Sequence, residues 1–216
     1  MNHAATKAVK RGRPRSEEKR QQILMAAMEL FTRNGFEGTS VDDIAAAAGV
    51  SKQTVYSHFG SKENLFGLAI STKCKQSGIS PDDFDLEVPP ERMLQEIAQR
   101  FMQLITSPEA TRVHAVCTGS AETHPELGRI YFEQGPLQAV EAVARYLAAQ
   151  DSAGTMSVEN PQHAAWQFLC MLKAEDQMRT QFNIGRMKEA SLQAYADDCV
   201  AMFMRAYKPS EKKGPH

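Results

Sequence analysis

The sequence predicts an all-α protein built as a small domain of short helices followed by a larger domain of longer ones. Apolar residues recur at helical spacing through almost the whole chain. Runs of alternating Val, Ile, Thr and aromatic residues, which would mark strands, are missing. The breaks also change spacing: Asn34-Gly35, Gly49 and Gly60-Ser61 cut the first part into short pieces, whereas Ser107-Pro108, His124-Pro125, Asp151–Pro161 and Asn183–Gly185 separate longer ones.

Residues 1–15 read as a basic arm containing Gly and Pro. A first helix is expected from Ser16, an N-cap with Glu17 and Glu18 in the opening turn, to Asn34-Gly35. Its apolar face is Ile23, Ala26, Ala27, Leu30 and Phe31. Ser40 caps a second short helix, with Asp42 and Asp43 at its positive end and Ile44, Ala45 and Ala48 facing inward. Gly49 ends it. Ser51 caps a third helix, Lys52 to about Phe59, and a fourth runs from Ser61–Glu63 to about Gln76. The boundaries are therefore 1–15, the arm; 16–76, the first domain; 77–90, a polar and acidic connection; 91–208, the second domain; and 209–216, a loose tail. Helices in the second domain are expected at about 91–106, 109–121, 125–150, 161–182 and 187–207.

The 216 residues are 42% hydrophobic, enough for a substantial core, with a formal net charge of -1. That balance hides an asymmetry: residues 1–62 carry ten basic and six acidic residues, and the remainder is net acidic. One part of the chain is thus suited to a polyanion and the other is not. No apolar h-region marks a signal peptide and no run spans a membrane, so a cytoplasmic protein without membrane contact is expected. Cys74, Cys117, Cys170 and Cys199 form no close pair and read as buried free thiols in a reducing compartment, with a redox sensor as the alternative.

Two short helices joined by Gly49-Val50-Ser51 match the helix-turn-helix plan, with Gly49 supplying the positive φ of the tight turn. Val55 and Phe59, four apart, lock the third helix inward. Lys52, Gln53, Thr54, Tyr56 and Ser57 then lie on outward arcs, as in a recognition helix in the major groove. The run from Ile23 to Phe66 resembles the DNA-binding domain of TetR-family regulators. It carries Ala26-Ala27, Leu30-Phe31, Gly35, Thr39-Ser40, Asp43-Ile44-Ala45, Ala48-Gly49-Val50-Ser51, Thr54, Tyr56, His58-Phe59 and Ser61-Lys62-Glu63 in order. LITSPEATRVHAV (104–116) and HPELGRIYFEQGP (124–136) are similar to the AefR-type subgroup of C-terminal domains.

Residue roles follow from chemistry together with this resemblance. Gln53 suits a bidentate bond to an adenine edge, and the Thr54 methyl suits a thymine methyl. Tyr56, His58, Lys62, Thr39 and Ser40 are expected at phosphates, and Lys52 at a base or a phosphate. Arg11, Arg13 and Arg15 belong to the arm, where Arg11-Gly12-Arg13-Pro14 resembles elements that enter narrow A·T-rich minor grooves; a basic tail on phosphates is the other reading.

The resemblance implies that the C-terminal domain binds a small-molecule inducer and forms a homodimer on palindromic double-stranded operator DNA. The dimer face is expected on Ala165, Phe168, Leu169 and Leu172 of one helix and Leu192, Ala196, Cys199, Met202 and Phe203 of another, the alternative being that both stripes are intrachain core. Phe101, Leu104, Ile105, His114, Cys117, Trp166, Cys170 and Met171 are the candidate ligand-binding residues. His114, Cys117, Glu122 and His124 fall close enough in sequence to raise a metal or redox sensor as a competing function, though their spacing matches no zinc pattern. A His114–Cys117 nucleophile–base pair lacks a third group, and no Gly-rich phosphate loop or carboxylate pair appears, so no enzyme, cofactor or bound metal is expected. A nonspecific architectural DNA binder is disfavoured by the dedicated C-terminal domain.

Overall fold

The computed structural model describes residues 13–209, and among them it contains helices and no strand. The helices are α1 (Arg13–Asn34), α2 (Val41–Ala47), α3 (Lys52–Phe59), α4 (Lys62–Gln76), α5 (Pro90–Ile105), α6 (Pro108–Gly119), α7 (Pro125–Gln134), α8 (Pro136–Ser152), α9 (Pro161–Met171), α10 (Ala174–Gln181) and α11 (Glu189–Ala206). The chain forms two compact units that divide at Ala69, inside α4 rather than at its end.

The first unit is built around aromatic packing. Phe31 of α1, Phe36 of the following turn and Phe66 of α4 form a triangle with ring centroids 5.1–5.9 Å apart. Ile23, Leu24 and Ala27 of α1, Ile44 and Ala45 of α2, and Val55 and Phe59 of α3 complete the core. Each fully buried Leu, Ile or Phe contributes about 1.5–3 kcal/mol relative to exposure. The first helix starts at Arg13, three residues before the expected cap. Pro14 is tolerated because first-turn N–H groups have no intrahelical partner, so Ser16 lies inside the helix instead of capping it.

In the second unit, α8 sends Ala139, Val140, Ala142, Val143 and Leu147 into the core. They meet Ala164, Ala165, Phe168 and Leu169 of α9, and α5 packs along α11. Two expected long helices are each interrupted. The segment 125–150 breaks at Gly135-Pro136: a Cβ on Gly135 would stand 3.0 Å from the Tyr131 carbonyl oxygen and 3.3 Å from Ile70. Pro136 then opens α8 at a position where its missing N–H costs nothing. The segment 161–182 breaks at Leu172-Lys173 with neither Gly nor Pro, and the restart carries the Asp176 side chain into the interior. The stretch 77–89 is more than a connection. Ile79 and Phe84 are buried, Ser80 and Asp83 form a reciprocal cap around a 3-10 turn at Pro81–Asp83, and Arg100 donates to the carbonyls of Gly78 and Asp83.

Candidate DNA-reading helix and effector domain

The turn between α2 and α3 is fixed by backbone chemistry. Val50 N–H donates to the Ala45 carbonyl at 3.0 Å and Gly49 N–H to the Ala46 carbonyl at 3.2 Å, the two bonds of a Schellman motif. Gly49 sits at φ +65° with open space where a Cβ would be, so the requirement for glycine there is one of dihedral angle, not of room. Ser40 caps α2 in a closed loop. Its hydroxyl accepts from Asp43 N–H at 3.1 Å, while the Asp43 carboxylate accepts from Ser40 N–H at 3.0 Å and from Ser40 Oγ at 2.6 Å. Those bonds favour the carboxylate and lower the Asp43 pKa. Ser51 caps α3, accepting from Thr54 N–H at 3.2 Å, and the two hydroxyls lie 2.8 Å apart.

With Val55 and Phe59 buried, α3 presents Lys52, Gln53, Tyr56 and Ser57 as one exposed edge; Thr54 and His58 are half-buried beside it. Lys52 Nζ pairs with Asp42 at 2.8 Å, and that partner raises its pKa. Both side chains are more than half exposed, so the pair is worth little. Lys62 is not a free surface cation: its ammonium stands 4.0 Å over the Phe36 ring. Arg20, which no sequence signal singled out, lies 5.3 Å over Phe59.

Thr39 is the correction in this unit. It is fully buried, and its hydroxyl donates toward the Gly35 carbonyl at 2.7 Å and the Leu30 carbonyl at 3.1 Å, while its N–H goes to Phe36. It ties the end of α1 to the start of α2 and has nothing left for a phosphate. Arg11 lies outside the described residues, as do the side chains of Arg13 and Arg15.

The second unit corrects more. Of the nine residues expected at a dimer face, Ala165, Phe168, Leu169, Leu172, Leu192, Ala196, Cys199 and Phe203 are buried within the single chain; Met202 alone is exposed. Phe168 and Phe203 pack ring to ring at 4.9 Å, joining α9 to α11. The stripe is therefore intrachain core. The exposed apolar side chains of this region are instead Tyr195 and Met202 of α11, Met178 of α10, and Phe182 and Ile184 of the segment after α10, with Cys170 of α9 also exposed. The last point overturns the expectation that all four thiols are buried and removes Cys170 from any internal pocket wall.

Among the other expected ligand-binding residues, Phe101 and Leu104 are buried in α5 and Ile105 half-buried; Trp166 and Met171 are half-buried in α9. Trp166 stacks on Phe132 at 6.1 Å. A shallow groove of about 360 Å³ between α8 and the start of α9, lined in part by Glu141, Arg145, Asn160 and Gln162, contains none of the eight. His114 and Cys117 of α6 do meet a third group: Tyr131 of α7 packs edge-on to His114 with centroids 5.8 Å apart. Burial, then Lys173, lowers the His114 pKa. Burial pushes the thiols of Cys117 and Cys74 up to about 11 and the Tyr131 phenol to about 12.

Such thiols hold almost no thiolate near neutrality, which argues against a redox-sensing Cys117. Among the described residues no group of three His, Cys, Asp or Glu is placed to hold a metal ion, so His114, Cys117, Glu122 and His124 do not converge. Elsewhere in the unit Asp176 is buried and bonded on both oxygens. It accepts from Met187 N–H at 2.7 Å and from Arg186 at 3.0 Å, and Arg186 also donates to the buried Thr106 hydroxyl at 2.9 Å.

Comparison with known proteins agrees with both units. Residues 23–69 match the family described as bacterial regulatory proteins, tetR family, and residues 92–209 match the AefR-like transcriptional repressor, C-terminal domain. A Bacillus subtilis protein, the uncharacterized HTH-type transcriptional regulator YezE, is 27% identical over 64% of this chain and 73% of its own length. The crystal structure of a TetR-family regulator from Mesorhizobium loti is 30% identical with a TM-score of 0.75, covering 90% of this chain and 98% of that one. The flavonoid-responsive regulator FrrA is 26% identical with a TM-score of 0.70, over 90% of this chain and all of its own. The α2–turn–α3 geometry, the helical second unit and the two family matches together place this chain in the TetR family of DNA-binding transcriptional regulators, which are not enzymes, with a C-terminal domain of the AefR-like kind.

Proposed function

We propose that the protein is a cytoplasmic homodimeric repressor that reads a palindromic operator with α3 and is released by a small-molecule effector bound in its second unit. The observation that carries this reading is the exposed edge of α3, held opposite a buried Val55–Phe59 seam by a turn that fixes its register. Gln53 reads a base edge, Thr54 offers its methyl to thymine, and Lys52 meets a base or a phosphate. Ser40, Tyr56, His58 and Lys62 position the duplex through phosphates, with Arg11, Arg13 and Arg15 of the arm adding minor-groove or phosphate contacts. Arg20, placed over the base of α3 on Phe59, is a further cation near this surface.

The AefR-like match supports repression, and the response named for FrrA supports a small organic effector. Release requires only that the effector bind the DNA-incompetent conformation more tightly than the competent one. A single head reads too few base pairs for a genome-scale search, which favours a dimer. Its face is assigned to the outer side of α9–α11, where Cys170, Phe182, Tyr195 and Met202 stand exposed.

Selection of bound duplexes from a random pool, followed by footprinting, tests the reading. Two symmetric half-sites about one helical turn apart, or a small multiple, are expected. Uniform binding to unrelated sequences, or protection of one unpaired site, overturns it.

A further inference from the structure

Asp42 and Lys52 stand at the reading surface as one unit. Asp42 lies in the first turn of α2, and Lys52 opens α3. Lys52 Nζ donates to Asp42 Oδ2 at 2.8 Å across the gap between the two helices. The bonds from Gly49 and Val50 N–H to carbonyls of α2 fix that gap. The neighbouring Asp43 is bonded locally in the Ser40 cap, so Asp42 is the carboxylate of α2 that reaches α3. Both side chains of the pair are open to the outside, Lys52 at 51% and Asp42 at 66%, so the pair has room for further partners.

The first residues of a recognition helix are those that meet base edges. An ammonium carries three donors and can hold Asp42 and a base together, and a carboxylate oxygen accepts more than one bond. The pair therefore offers a donor and an acceptor side by side, 2.8 Å apart. The major groove offers the complement. Each base pair shows there a keto oxygen and an amino nitrogen bonded to one another at about 2.9 Å: O6 and N4 in G·C, O4 and N6 in A·T. Lys52 over the keto oxygen and Asp42 over the amino group make both bonds at once. The reversed pair sets donor against donor and carboxylate against carbonyl. Guanine adds N7 as a second acceptor for Lys52 where thymine carries its methyl, so G·C ranks above T·A. A lone lysine would instead be drawn to phosphates whatever the sequence.

The geometry points to Asp42 as a specificity-determining residue: held on Lys52, it completes a two-residue reader that requires a keto base, guanine before thymine, on the Lys52 side and an amino base on its own. This rests on the reading that α3 lies in the major groove.

The test uses the full chain and the duplex selected from the random pool, with each half-site position changed in turn to all four base pairs, symmetrically in both halves. The wild type should show one position ordered G·C, T·A, then A·T and C·G, with about tenfold or more between first and last. Asp42→Ala should shrink that range below about threefold and leave the preferences at other positions as they are. Asp42→Glu, which keeps the carboxylate, should keep the order. On a scrambled duplex the plot of log affinity against log salt should steepen by about one per head in Asp42→Ala, because the freed ammonium turns to a phosphate. It should return to the wild-type slope in Asp42→Ala/Lys52→Met.

An Asp42→Ala protein that keeps the wild-type order at every position overturns the assignment, and so does a uniform loss of affinity on all duplexes, the mark of a structural role. A double variant whose slope falls about one per head below the wild type puts Lys52 on a phosphate and overturns it as well. These outcomes leave the reading of α3 standing. A wild type that binds every altered duplex alike sinks that reading and this one together.

Discussion

The two units satisfy their polar groups in opposite ways. In the first, nearly every hydrogen bond that shapes the reading surface is local: Ser40 with Asp43, Ser51 with Thr54, Gly49 and Val50 with the end of α2. The second is held by long reaches, Arg186 to Thr106 across 80 positions and Tyr207 to Gln167 across 40. It also leaves hydroxyls of Thr111 and Tyr146 buried and unbonded. A surface that must present the same edge to every operator benefits from closed local loops.

The largest test of that contrast is Phe203→Ala. Because Phe203 is core, its loss should cost about 3–5 kcal/mol of folding stability, read by urea denaturation. Met202→Ala, its exposed neighbour, should change folding by less than about 0.5 kcal/mol and act, if at all, on molecular mass in light scattering. Equal effects would return the α11 stripe to an intermolecular role. Asp176→Ala comes next. It strips Arg186 and Met187 N–H of their acceptor and should cost about 2–4 kcal/mol, tempered by the partial exposure of Arg186. Unchanged stability would mean that the long-range network is incidental.

Gln53→Ala should be silent in denaturation yet lose about 1–3 kcal/mol of specific DNA binding, with nonspecific affinity kept. An equal loss on both kinds of DNA would reduce Gln53 to a phosphate contact. The smallest effect concerns the thiols. At pH 7 a thiol reagent should leave buried Cys74 and Cys117 untouched in the native protein and modify both once the chain is unfolded. Their pKa values are raised, so the contribution of their neutral forms is complete below about 9. It fades as pH climbs toward about 11, since the unfolded chain ionises first. Labelling of Cys117 at neutral pH as fast in the native protein as in the unfolded chain would contradict the burial.

Much of the first unit was legible because its signals are short. A capping residue and its partner lie three positions apart, and Gly49 announces a dihedral angle that other residues resist. Thr39 misled because the same Thr-Ser pair contains one hydroxyl at the surface and one turned nine residues back to Leu30, a choice made by tertiary packing. In the second unit the apolar stripes of α9 and α11 were correctly located, but periodicity reports that a face is buried and not what buries it. The break at Gly135-Pro136 was written in the residues themselves. That at Leu172-Lys173 carries no breaker, and Asp176 becomes an interior residue only because Arg186 and Thr106 arrive from elsewhere in the chain. Tyr131, absent from the expected pocket, stands out only once α7 is laid beside α6.

Trp166 gives the molecule a built-in optical probe. It is the chain's one tryptophan, and its indole lies nearly parallel to the Phe132 ring, 10° from coplanar and bridging α9 to α7. All of the protein's indole emission therefore comes from the seam beside Tyr131. A shift of α7 against α9 alters the stacking and the water around the ring together, so emission wavelength and quenching by iodide follow that movement in real time without an attached dye.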